Sequence, residues 1–234
     1  MSGDGGTPPV RAEFELPVWP RRLVAFVALH GRCSRTFVAG SLWPDGSDQA
    51  ATDRLRALLW RVRHRHGALP PLLEISAESL ALARNIVVDV DEFVVCANRL
   101  IRNSEEPDDA AVARVLAGAE LLPGWYEEWT LIDRERLRQL RLGALEVLAN
   151  RRLAQARHHE ALQAALAATA TEPLHESAHR AVARIYIDDG NLVEAVSHFE
   201  MFEGMLRREL DSRPSGKFVE MMQPYLHHTG AGPR

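Results

Sequence analysis

Between Asp53 and Gly67 the chain reads DRLRALLWRVRHRHG. Leu55, Leu58, Leu59 and Val62 recur at i, i+3, i+4 and i+7, the spacing that gathers apolar side chains on one face of an α-helix. Either Thr52 or Asp48 is suited to cap its start, and Gly67 with Pro70 closes it. Five arginines accompany the stripe. At about 100° per residue, Arg54, Arg61 and Arg65 fall on one side of it and Arg56 and Arg63 on the other, with Asp53, Ala57, Trp60 and His64 outermost. No acid occurs between Asp53 and Glu74, so the positive charge is local and uncompensated in sequence. Such a helix is either an ordinary solvated surface or one that meets a polyanion, and its neighbours decide between the two.

Upstream, RRLVAFVALHG (Arg21 to Gly31) and TFVAGSLWP (Thr36 to Pro44) read as two short apolar helices, the second ended by Leu42 and Trp43 and by the turn Pro44-Asp45-Gly46. Downstream, LLEIS and SLALA flank Ala77-Glu78 as a hairpin. Helix, helix, arginine-rich helix and hairpin is the order of a winged helix-turn-helix. In that architecture the third helix enters the major groove of double-stranded DNA, while the wing lies near a phosphate backbone or an adjacent groove. The expected DNA-binding residues are Arg54, Arg56, Arg61, Arg63 and Arg65, with Trp60 and His64 on the outward face. Guanidinium groups either bond guanine edges bidentately or neutralise phosphates, and sequence alone leaves open which arginine does which. Trp60 is equally suited to touch bases or to pack on the wing.

Helical periodicity resumes near Val90 and runs almost to Leu226. Two segments align at an offset of 34 residues: Leu148 with Val182, Ala149 with Ala183, Ala161 with Ala195, and Ala165 with Phe199. That is the tetratricopeptide period, in which each helix pair buries its apolar face only by stacking on the next. Ala154, Ala161 and Ala168 are small enough for close helix approach, and Tyr186, Phe199 and Phe202 fill larger gaps. The expectation is an interaction scaffold.

Within it, PLHESAH (Pro173 to His179) contains H-E-x-x-H, a spacing that on a helix brings two imidazoles to one metal beside a glutamate base. The extended form of that site needs Gly and His where Val182 and Ile185 stand. Pro173 instead starts a helix whose buried face is Leu174, Ala178, Val182 and Ile185, with His175 and His179 flanking it. The pairs His64/His66, His158/His159 and His227/His228 lack a clear third ligand. Neither a Gly-rich phosphate loop nor a G-x-S-x-G elbow is present, so catalytic residues, metal and cofactor are all expected to be none, and the protein not an enzyme. Trp125 and Trp129 in GWYEEW read as core and staple rather than as a stacking platform.

Composition is that of an ordinary globular protein: 234 residues, 46% hydrophobic and 26% charged, with net charge -4. Residues 1 to 100 carry 12 Arg against 11 acids and the remainder 16 basic against 21 acidic residues, so any nucleic-acid contact must come from a local patch. Cys33 and Cys96 are too few for a disulfide framework and read as small buried hydrophobes. MSGDGGTPP lacks a basic, apolar leader, and no apolar run is long enough for a membrane span, so the expectation is a cytoplasmic protein with no membrane partner.

RRLVAFVALHG, SLWPDGSDQAATDRLRALLWRVRHRHG and VDVDEF together resemble the winged-helix domain of the Streptomyces antibiotic regulatory protein family, a branch of the OmpR-like DNA-binding fold. LLPGWYEEW, DRERLRQLRLGALEVLA, EPLHESAHRAVARIYIDDGNLVEAVSHFE and RRELDSRPS resemble its bacterial transcriptional activator domain. The resemblance implies a mainly α protein with a flexible start (1–13), a winged helix-turn-helix (14–88), a tetratricopeptide-like activator domain (89–226) and a flexible tail (227–234). It further implies binding to promoter repeats, activation of secondary-metabolite genes, homodimerisation, and contact with RNA polymerase holoenzyme through the helical domain. Three features depart from the family pattern. Only Phe14 to Leu16 looks extended where a small sheet precedes the first helix, so a shortened sheet is expected. Glu78 stands at the wing tip where a basic segment is usual, and no basic domain surrounds the arginine patch. A second class therefore stays in view, a regulatory adapter whose degenerate winged helix docks on protein. The discriminating feature is whether the arginines form an exposed positive face or are tied up by Asp45, Asp48 and Asp53.

Overall fold

A computed structural model describes residues 16–65, 71–102, 107–118 and 120–226, with the side chain of Arg65 outside that description. The expected flexible termini, the extended reading of Phe14, the stop at Gly67 and Pro70, and the pairs containing His66 and His227/His228 also lie outside the described residues. The chain divides into two compact units, residues 1–91 and 92–234.

In the first unit the order is α1 (Val18–His30), β1 (Cys33–Ser34), α2 (Arg35–Leu42), α3 (Asp48–Arg65), β2 (Leu73–Ile75) and β3 (Ser79–Leu82). The strands form an antiparallel sheet in the order β1-β3-β2, with Cys33 opposite Leu80 and Ile75 opposite Leu80 on the other side. α1 packs on β3, and α2 packs on α3. Leu23, Phe26 and Val27 meet Val38, Leu42, Leu55, Leu58, Leu59, Val62 and Leu80 in the core, all buried. β1 escaped the sequence reading because two residues are too short for an alternation to register. Ser34 shows why it ends where it does: its hydroxyl accepts from the Phe37 N–H at 3.2 Å and caps α2.

The cap of α3 is neither Thr52 nor Asp48. Ser47 takes that role, its hydroxyl accepting from the Ala50 N–H at 3.3 Å and its carbonyl from the Ala51 N–H at 2.9 Å. Thr52 lies inside the helix, and Asp48 is an acid of the first turn, where the helix dipole favours it.

The described secondary-structure elements of the second unit are all helices: α4 (Asp89–Arg102, which begins in the first unit), α5 (Asp109–Leu116), α6 (Glu128–Ala154), α7 (His158–Thr171), α8 (Glu176–Asp188), α9 (Leu192–Leu210) and α10 (Gly216–Leu226). The 34-residue offset recurs in the element boundaries, since α6 and α8 end at Ala154 and Asp188 while α7 and α9 begin at His158 and Leu192. It recurs in the backbone too, for the connection after α6 passes through Ala156 at φ +55° and that after α8 through Gly190 at φ +79°. α7 packs against both α6 and α8, and α9 against α8 and α10. Leu145, Leu148, Ala161, Ala165, Ala168 and Val182 fill one core, and Ala183, Ala195, Phe199, Phe202, Phe218 and Met222 a second. Ala154 is exposed at the last turn of α6, so it takes no part in the close approach expected of it. Pro173 precedes α8 by a turn instead of starting it, and His175 stands at the cap position.

Candidate nucleic-acid interface

The buried stripe of α3 turns the opposite face outward. Arg54, Arg56, Arg61 and Arg63 are all exposed, and so are Asp53, Ala57, Trp60 and His64. Arg56 is paired with Asp53 at 2.8 Å, and Gln49 donates to the same carboxylate at 3.1 Å. Arg54, Arg61 and Arg63 have no ion-pair partner among the described residues. Asp45 and Asp48, the other acids near this helix, therefore do not hold them.

Trp60 is 62% exposed, and its ring lies against His64, with centroids 4.5 Å apart and planes at 25°. The His64 Nδ1 donates to the Trp60 carbonyl oxygen at 2.8 Å. Because a carbonyl can only accept, this bond fixes the hydrogen on Nδ1 and leaves Nε2 of the neutral ring as an acceptor.

The hairpin is short and turned back. Its tip is pinned to the start of α2, since the Glu78 carbonyl accepts from the Arg35 N–H at 2.9 Å and the Ala77 carbonyl from the Arg35 guanidinium at 3.4 Å. Glu78 is exposed, and Glu74 on β2 gathers Arg32 at 3.2 Å and Arg84 at 3.7 Å. Arg32, Arg35 and Arg84 are basic residues that sequence reasoning missed. They are scattered in sequence, and Arg32 and Arg84 meet at Glu74 only because β3 lies between β1 and β2, which no local pattern signals.

The H-E-x-x-H side chains are each committed elsewhere. His175 Nε2 meets Glu146 at 3.1 Å, and Ser177 donates to the same carboxylate. Glu176 accepts from the Ser215 N–H at 2.7 Å, ahead of α10, and pairs with Arg180 at 3.3 Å. His179 is 2% exposed, not a flank of the stripe, because Phe202 and His198 of α9 stack on it at 4.1 and 5.0 Å. Its Nε2 donates to the Pro173 carbonyl at 2.9 Å, leaving Nδ1 to accept from His198 Nε2 at 3.1 Å. Burial holds both imidazoles toward the neutral form and pushes His198 down to about 4, with the neighbouring His179 adding to the effect. Both nitrogens of His179 are thus used within the fold, which leaves no lone pair for a metal.

The loop before α6 is organised by Arg134, which pairs with Glu120 at 3.0 Å and donates to the carbonyls of Leu121, Leu122 and Trp125. Trp129 is buried and meets Trp125 edge-on with centroids 6.1 Å apart. Trp129 thus sits in the core, and Trp125 is half-buried against it.

Residues 88–225 match the model of the bacterial transcriptional activator domain. The match covers more than half of the chain, and the chain belongs to that family. This activator domain is the one found in regulators of the Streptomyces antibiotic regulatory protein type, and it is a transcription-regulatory family, not an enzyme family. Comparison with curated proteins finds no match. Among the described residues, no helix is long and apolar enough to cross a membrane.

Proposed function

We propose that the protein is a DNA-binding transcriptional regulator, an activator, whose first unit is a winged helix-turn-helix with α3 as the recognition helix. The observation that carries the reading is the outward face of α3, on which Arg54, Arg61 and Arg63 are exposed and unpaired with any described acid. Free guanidinium groups on a rigid helix are what a polyanion recruits, and each phosphate neutralised adds counterion release to the affinity. The sequence of elements, with a hairpin following the arginine-rich helix, supports the same reading. The activator-domain unit then serves as the scaffold for self-association and for RNA polymerase, placing the protein in the cytoplasm at promoter repeats, with secondary-metabolite genes as the expected targets.

One observation favours the adapter reading. Glu74 ties Arg32 and Arg84, and the hairpin tip presents Glu78, so the wing offers a duplex little free positive charge. Fluorescence anisotropy of the intact chain on duplexes from its gene's upstream region, at two salt concentrations, separates the two. Binding that weakens with salt and is lost in Arg61→Ala plus Arg63→Ala supports the regulator. Affinity no better than for random duplex at low salt overturns it in favour of protein docking.

A further inference from the structure

We infer that α3 divides its task between flanks and ridge: Arg54, Arg61 and Arg63 bind phosphates, while Ala57, Trp60 and His64 read bases, selecting thymine by its methyl group. This rests on the DNA-binding reading above. The division follows from the position of the buried stripe. With Leu55, Leu58, Leu59 and Val62 against the core, Ala57, Trp60 and His64 stand opposite, at the part of the helix that reaches deepest into a groove. The arginines are rotated from that ridge by roughly 60° to 100°, toward the two walls. A major groove about 12 Å wide admits one helix, so groups on its flanks meet the phosphate edges before the base edges.

The ridge has its own chemistry. One face of the Trp60 indole is covered by His64, and the ring is otherwise open to solvent beside the small Ala57. That is an apolar plate with an N–H on its edge, and thymine presents a methyl group next to an O4 acceptor. Guanine offers acceptors but no methyl. In its neutral form His64 adds an acceptor at Nε2, since its Nδ1 hydrogen is given to the Trp60 carbonyl. An acceptor suits the exocyclic amine of adenine or cytosine and opposes guanine O6 and N7. The remaining ridge residue, Asp53, is already held by Arg56 and Gln49.

The test uses the intact chain. Duplexes are selected from a randomised library, and each thymine of the selected site is then replaced by deoxyuridine, which removes the methyl and nothing else. Loss of one methyl contact weakens wild-type binding about fourfold at the position read by Trp60. Trp60→Ala binds the thymine and uracil duplexes alike, and Trp60→Phe restores the preference for thymine. Arg54→Ala and Arg61→Ala leave that preference intact while each lowers the log–log salt slope by about 0.9. A selected duplex whose binding ignores every uracil replacement, or whose sequence preference is lost in Arg61→Ala, overturns the division while leaving DNA binding standing. Failure to select any duplex overturns the regulator reading and this inference with it.

Discussion

At the residue scale, equivalent positions in the two helix pairs solve the same backbone problem with different side chains. Ala156 and Gly190 both adopt the left-handed conformation, and a Cβ at Gly190 would meet nothing within 4 Å. The difference between them is therefore conformational, costing the alanine about 1 kcal/mol, partly offset by the greater freedom of an unfolded glycine. Ala156→Gly is expected to raise the urea midpoint by a stabilisation of about 0.5 kcal/mol, and Gly190→Ala to lower it by a destabilisation of about the same size. The His179–His198 stack makes a second residue-scale prediction. Both groups have native pKa values below the unfolded one, so the unfolded chain takes up protons first as pH falls. The stabilisation is complete above the ordinary histidine range and is lost as pH falls from about 6.5 toward 4. Thermal melts across that window should be flatter in His198→Gln, by roughly 1 to 3 kcal/mol of stability.

At the element scale, the helix ends carry more specific information than the helix interiors. Arg141 of α6 closes the C-terminus of α5, donating to the Val115 and Leu116 carbonyls at 3.1 and 2.7 Å. Gly118 makes room for it, since a Cβ there would lie 2.6 Å from the Arg141 Nε. Gly118→Ala should push the guanidinium off both carbonyls and cost about 2 kcal/mol, read by denaturant unfolding, whereas Gly204→Ala, where a Cβ meets nothing, should not destabilise. The caps of α2 and α3 by Ser34 and Ser47 obey the same logic. Serine before a helix is a readable signal, and Asp48 misled only because an acid in the first turn and a cap look alike in sequence.

For the whole molecule, a net charge of -4 means that long-range steering toward DNA is weak and that affinity must arise from close contact. Arg54, Arg61 and Arg63, the arginines of α3 that no described acid pairs, correspond to a slope of log K against log salt of about -3 per chain, and about -6 for two copies on a repeat. Anisotropy titrations at several salt concentrations measure the slope, and analytical ultracentrifugation counts the copies. A value beyond about -9, more than the five arginines of α3 supply on two copies, would mean that contacts outside α3 add to the binding.

Much of this was legible in the sequence because it is periodic and local. The leucine stripe of α3 set the arginines outward, the 34-residue offset announced repeated helix pairs, and both Leu148 and Val182 are buried as that offset requires. H-E-x-x-H was equally legible as a spacing but not as chemistry, since the roles of His175, Glu176 and His179 depend on Glu146, Ser215 and His198 from other helices. Long-range contacts of that kind leave no local trace. The gathering of Arg32 and Arg84 around Glu74 belongs to the same class, as does the Trp60 carbonyl bond that fixes the His64 tautomer only once the helix forms. Sequence periodicity determined which faces are buried, because burial follows helical pitch; tertiary structure alone decided which polar side chains remain free to act, because their partners come from distant parts of the chain.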